Sequence, residues 1–249
     1  MGFYLRRLYF FHGVVVFVFC MFTFTPLILL TIVLVKNEKR AGKIAYFFLR
    51  CWGFIFFTFC LIICKTKGRE NFSHNQAYIF ACNHNSFLDG IAICLAIPND
   101  FRPLGKVEML KIPVFGLMYR QVVILINRNS MESKHKSMLA MIRKIGEGIS
   151  ILIFPEGTMN RGSVILQPFM NGAFSLAIEV QKPIVPMVIK NSGKCLPRVP
   201  NYTFQPGIIR VEFLPFIETI GLNKSDIDTL KSKVYHQIEE KLLQNSSHF

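Results

Sequence analysis

From Val14 to Val35 the chain runs 22 residues without a charge. A segment of that length has to leave water, because about 20 apolar residues in a helix cross the hydrocarbon core of a bilayer. A second apolar stretch, Ile44 to Cys64, is interrupted once, by Arg50. Only a short basic turn separates the two, so the front of the molecule is committed to a pair of membrane helices. The remainder is long enough to bury a core of its own. We therefore expect an N-terminal two-helix membrane anchor over residues 1–65 and a separate folded domain over residues 66–249.

Charge placement constrains how that anchor sits. Arg6 and Arg7 precede the first stretch, Lys36, Lys39, Arg40 and Lys43 lie between the two, and Lys65, Lys67 and Arg69 follow the second. Basic flanks favour the cytoplasmic side, and two full crossings strand the middle cluster on the far side. A helical hairpin inserted in one leaflet keeps all three clusters beside anionic headgroups, and we favour it over two spans. Either arrangement leaves the folded domain facing the cytoplasm. A cleavable signal peptide is disfavoured because the apolar stretch is too long and lacks a small-residue cleavage site.

The net charge of +14 divides unevenly. Residues 1–70 hold ten basic and two acidic side chains, +8, and residues 71–249 hold nineteen and thirteen, +6. The basic density therefore sits on the anchor, where a lipid surface explains it better than nucleic acid, for which no zinc spacing or helix-turn-helix pattern is present. The seven cysteines show no metal-binding spacing, and four of them lie in the apolar front as small hydrophobes.

Beyond residue 70 the pattern alternates. Strands are expected at Tyr78–Cys82, Phe101–Gly105, Val122–Ile126, Ile149–Phe154, Ile184–Ile189 and Ile208–Phe213. Helices are expected from Phe87, briefly from Val107, and at Met131–Ile145, Asn171–Val180 and Asp226–Leu243. This order predicts an α/β domain with a largely parallel central sheet flanked by helices on both faces.

Two strand ends carry chemistry. After the apolar Ala77–Cys82 comes Asn83-His84-Asn85-Ser86-Phe87-Leu88-Asp89. Residues five apart point away from each other on one regular helix, so a His84–Asp89 pair requires His84 in the turn and Asp89 in the first helical turn, with Ser86 as N-cap. Asp89 then holds one ring nitrogen and leaves the other free as a general base, the orienting half of a triad whose nucleophile is a substrate hydroxyl. The bland alternative is a capping box, Ser86-x-x-Asp89. A Cys82/His84 nucleophilic pair is disfavoured because Cys82 sits in a buried strand. The second strand end is Phe154-Pro155-Glu156-Gly157-Thr158. Pro155 cannot continue a sheet and Gly157 allows unusual backbone angles, so one acid is held where open α/β sheets bind ligands.

Together these blocks resemble those of the glycerolipid acyltransferase family, typified by 1-acyl-sn-glycerol-3-phosphate acyltransferases. The resemblance continues in order through Gly105-Lys106-Val107-Glu108-Met109-Leu110, Pro113 with Phe115-Gly116, the stretch ending at Arg128, Pro168-Phe169 with Gly172-Ala173-Phe174, and Pro183-Ile184-Val185-Pro186, covering residues 66–220. It implies a glycerol-3-phosphate acyltransferase-like fold and transfer of a fatty acyl group to lysophosphatidic acid, or to another lysolipid, with His84 and Asp89 catalytic. The donor it implies is an acyl-CoA or acyl carrier protein thioester, as co-substrate and with no cofactor or metal. Substrate-binding roles are implied for Glu156, Gly157, Thr158, Arg128, Arg161 and Lys106. The chain departs from the family at Met159 and Met170, where the family commonly carries cations, and this bears on the acceptor. A hydrolase using the same base on water and a non-catalytic lipid-binding protein are the remaining alternatives.

Overall fold

The computed structural model describes residues 2–160, 164–198 and 202–244. The domain is a seven-stranded sheet: β1 (Ile62–Lys67), β2 (Ile79–Cys82), β3 (Phe101–Lys106), β4 (Ile124–Ile126), β5 (Ser150–Ile153), β6 (Ile184–Lys190) and β7 (Gly207–Phe213). The spatial order is β1-β7-β6-β2-β5-β3-β4. Every neighbouring pair is parallel except β6 with β7, so the expected largely parallel sheet is what the chain forms. The central strands β2 and β5 are buried at every position, as a sheet covered on both faces requires.

The helices are α1 (Phe3–Leu34), α2 (Glu38–Phe59), α3 (Leu88–Ala96), α4 (Phe115–Val122), α5 (Met131–Gly146), α6 (Gly172–Val180), α7 (Ser192–Cys195) and α8 (Ile227–Leu243). One face of the sheet packs against α2, α3 and α4 through Trp52, Phe57, Ile93, Phe101 and Val211. The other packs against α5, α6 and α8 through Met141, Phe174, Val188 and Val234.

Two elements differ from expectation. The stretch Ile44–Cys64 is not one helix: α2 starts earlier, at Glu38, and ends at Phe59, and Ile62–Lys67 becomes β1, paired along its length with β7. The expected boundary at residue 65 thus falls within a sheet strand. The expected strand Val122–Ile126 is shortened to Ile124–Ile126 because α4 occupies the preceding residues.

Both α1 and α2 are long and apolar enough to cross a membrane. They are held very differently. Arg50, the one charge inside the second stretch, donates from Nε to Cys94 O at 3.1 Å and from Nη2 to Ile97 O at 2.8 Å and Pro98 O at 3.2 Å. Those carbonyls close the C-terminal end of α3, where a cation is favoured. Tyr46 donates to Val122 O at 3.0 Å and Lys43 approaches Asp100 at 3.5 Å, so α2 is fastened to the domain along its length. α1 instead lies on α2 and α4 and leaves Leu8, Phe11, Val15, Phe19 and Phe22 uncovered.

Candidate active site

Because β2, β3, β4 and β5 run parallel, their C-terminal ends share one edge, the edge where open α/β sheets place ligands. His84 follows β2, Glu156 follows β5, Lys106 ends β3 and Arg128 follows β4.

The turn after β2 is rigidly built. Asn83 donates to Ile189 O at 2.9 Å and accepts from Ile189 N at 2.7 Å, tying the end of β2 to β6. Asp89 is fully buried in the first turn of α3, and its Oδ2 accepts from His84 Nδ1 at 2.8 Å, Asn85 N at 2.7 Å and Ser86 N at 2.8 Å. The His84 contact and the bond back to Ser86 N, the carboxylate half of the expected capping box, therefore share one oxygen. Ser86 caps from one position further out than expected: Phe87 takes the N-cap position, and Ser86 Oγ accepts from Leu88 N at 3.2 Å.

With Nδ1–H donated to Asp89, the tautomer assigned by this bonding leaves His84 Nε2 as an acceptor. The imidazole stacks on Phe154 with centroids 3.9 Å apart and planes at 15°, and its side chain keeps 20% exposure, so the ring is clamped yet reachable. Cys82 cannot compete as a nucleophile. Burial, reinforced by the Asp89 and Glu156 carboxylates, pushes its thiol well above the ordinary range.

Glu156 is 4% exposed and uses both oxygens on backbone: Oε1 accepts from His84 N at 2.7 Å and Oε2 from Gln167 N at 3.0 Å. Burial raises its carboxyl above the ordinary glutamate range, and the two N–H bonds pull the other way. The acid thus joins the His84 turn to the segment after the second block. Gly157 has φ of +75°, and a Cβ there would lie 2.7 Å from Met170 Sδ and 3.3 Å from Arg128 Nη1. The positive φ favours glycine, the two neighbours being ends of flexible side chains, and Arg128 reaches this loop from the far side of β5. Burial lowers the Arg128 pKa from its ordinary value, opposed by Glu108 and Tyr119.

Of the residues expected at the site, His84, Asp89, Glu156, Gly157 and Arg128 are brought together, and Thr158 continues the same loop. Lys106 lies on the same edge, exposed, in register with Ile126. Arg161 lies outside the described residues. One cation at this loop had not been anticipated: Arg198, after α7, donates from Nη1 to the carbonyl of Met159. Its only sequence signal is a basic residue after Leu196-Pro197, and nothing local connects that tripeptide to a loop 39 residues earlier.

Comparison with known proteins places this geometry. A family model described as acyltransferase matches residues 63–190. The mouse 1-acyl-sn-glycerol-3-phosphate acyltransferase alpha is 29% identical over 176 residues, 70% of this chain, and the chain spans 61% of that protein's length. The 1-acyl-sn-glycerol-3-phosphate acyltransferase of Salmonella typhimurium is 31% identical over 180 residues, 72% of this chain and 71% of its own. That of Haemophilus influenzae is 27% identical over 83% of each chain. In fold, the chain is similar to the crystal structure of the 1-acyl-sn-glycerophosphate (LPA) acyltransferase of Thermotoga maritima, with a TM-score of 0.80, 20% identity and coverage of 98% of this chain and 96% of that one. The matched span covers just over half of the chain and contains both strand-end blocks, so this protein belongs to the acyltransferase family.

Proposed function

We propose that the chain transfers a fatty acyl group from a thioester, acyl-CoA or acyl carrier protein, to the free hydroxyl of lysophosphatidic acid, giving phosphatidic acid. The observation that carries this is the His84–Asp89 pair at 2.8 Å, its outer nitrogen free beside a loop that Arg128 also reaches. A hydroxyl is too weak an acid to attack a thioester unaided near neutral pH. His84 Nε2 takes its proton as the oxygen–acyl carbon bond forms, and Asp89 stabilises the imidazolium. When the tetrahedral intermediate collapses, the carbon–sulfur bond breaks and the proton passes to the departing thiolate. A positioned base of this kind contributes about 10²- to 10⁴-fold.

Glu156 holds the two loops in register and is not the proton carrier, since both its oxygens are occupied by backbone N–H groups. Arg128 offers a planar fork suited to a phosphate oxygen pair. Residues 1–65 serve as the membrane anchor and residues 66–249 as the catalytic domain, with β1 bridging the boundary. The ties from α2 to the domain favour a one-leaflet arrangement with the bare flank of α1 in lipid, and the basic flanks favour the cytoplasmic side.

A second acceptor class is kept open by Met170, which is 60% exposed and sits against Gly157 where a cation is usual in the family. The experiment is thiol release and labelled product from acyl-CoA and acyl carrier protein across lysophosphatidic acid, neutral and zwitterionic lysolipids, and acyl-amino-acid lipids. Product with lysophosphatidic acid well above the others supports the reading. Product mainly with another lysolipid replaces the acceptor, and free fatty acid without acceptor dependence replaces the reaction class.

A further inference from the structure

The chain lacks a cation at position 159, directly after the Phe154–Thr158 block, yet the structure brings one to that residue's carbonyl. Arg198 donates from Nη1 to Met159 O, and among the described residues its guanidinium makes that one hydrogen bond. A guanidinium carries five N–H donors in a planar fork, so among the described residues most of the donating capacity of this half-buried side chain is unused.

The segment bearing Arg198 is tied to both strand-end blocks. Two residues earlier, Leu196 O accepts from Ser86 Oγ at 2.8 Å, inside the His84–Asp89 turn. Next to Met159, Asn160 N donates to His84 O at 2.6 Å. α7 lies beside the turn: a Cβ on Gly193 would be in ordinary contact, 3.6 Å, with Asn85 Cβ. Arg198 thus lies one residue from a backbone bond to His84, while Arg128 reaches the same short loop at Gly157.

We infer that Arg198 is a second phosphate-binding residue of this site, brought in from the segment after α7 to act with Arg128 on a phosphate monoester. Two guanidinium forks reaching one loop suit a dianion, and two parallel N–H bonds to phosphate oxygens are the geometry in which arginine excels. The inference rests on the phosphate-bearing acceptor proposed above. The same chemistry is offered by the nucleotide phosphates of a coenzyme A donor, and the test separates them.

The test is equilibrium binding to the full-length chain in detergent, with His84→Ala to prevent turnover, using lysophosphatidic acid, monoacylglycerol of the same chain length, and coenzyme A. Arg198→Gln keeps a donor for Met159 O and removes the charge. It should weaken lysophosphatidic acid about ten- to a hundredfold, the range of a charge-assisted hydrogen bond, with monoacylglycerol and coenzyme A within twofold. Arg198→Lys should recover part of the loss. A loss confined to coenzyme A moves the phosphate to the donor and overturns the acceptor assignment. Unchanged binding of all three ligands, equal weakening of all three, or no preference of the parent for the phosphate-bearing lipid overturns the phosphate role altogether. Should Arg198→Gln fail to fold, Arg198→Lys carries the test, with a severalfold loss expected for lysophosphatidic acid alone. Turnover with His84 intact is measured separately: preferential binding without turnover retires the reaction and leaves Arg198 standing.

Discussion

The strand-end edge and the outer flank of α1 are opposite kinds of surface. At the edge, short hydrogen bonds consume the polar groups of the loops among themselves: one oxygen of Asp89 takes three N–H donors and both oxygens of Glu156 take one each. Along α1, large apolar side chains such as Phe19, 66% exposed, and Phe22, 59% exposed, keep most of their surface uncovered. The difference teaches where each region is completed. Apart from Asp89 Oδ1, which is buried without a partner among the described residues, the edge is bonded within the molecule and held in shape for chemistry; the flank is left for an apolar partner outside the chain, lipid in the arrangement proposed above. Single changes at the edge should therefore alter rate and leave membrane association alone, and changes on the flank should do the reverse.

The largest effect should come from Asp89→Asn. It keeps shape but replaces an acceptor of three N–H bonds and upsets the His84 tautomer, so kcat should fall about 10²- to 10⁴-fold with vesicle binding unchanged. A variant within threefold of wild type would break the contrast at its strongest point.

Glu156→Gln comes next. One of the two backbone N–H groups would face an amide donor instead of an oxygen, a loss of about 1–3 kcal/mol, or roughly ten- to a hundredfold in rate if it is transmitted to His84. The same variant tests the titration of the carboxyl. Because burial raises its folded pKa above the unfolded value, the folded state binds more protons between the two. The stability associated with the neutral form is complete below the unfolded value, about 4.3, and is lost as pH rises through the folded value. Denaturant titrations should show the wild-type advantage over Glu156→Gln narrowing as pH rises through that window; a gap that widens would reverse the sign.

How far these regions were legible in the sequence follows from the range of their constraints. The His84 turn was readable because its partners lie within five residues, and the apolar front because lipid solubility is a property of composition. β1 was hidden because Ile62–Cys64 continues the apolar stretch, and only pairing with β7, far along the chain, makes it a strand. α4 was missed because eight residues between a proline turn and a strand carry too little periodicity to declare a helix. Arg50 read as an interruption of a membrane segment, and its partners 44 to 48 residues away turn it into a cap for α3. Arg198 was silent for the same reason.

Arg50 sharpens the comparison between the two apolar helices. Arg50→Met removes the donors to Cys94, Ile97 and Pro98 carbonyls and should destabilise the domain by about 1–3 kcal/mol, read as a lower Tm in detergent. An unchanged or raised Tm would mean that α2 leaves the domain to cross the bilayer. The smallest effect on the fold belongs to Phe19→Ser. Stability should stay within about 0.5 kcal/mol, while partition into vesicles weakens about tenfold, the equivalent of the ~1.5 kcal/mol gained on burying such a ring. A large loss of stability with unchanged partition would place that flank against protein.

The most direct measurement is acyl transfer to lysophosphatidic acid by the full-length chain and by His84→Ala in the same vesicles, with matched vesicle binding. The account predicts labelled phosphatidic acid from wild type and a loss of at least about 10²-fold in the variant. Turnover by His84→Ala at the wild-type rate would contradict the claim that this imidazole removes the proton.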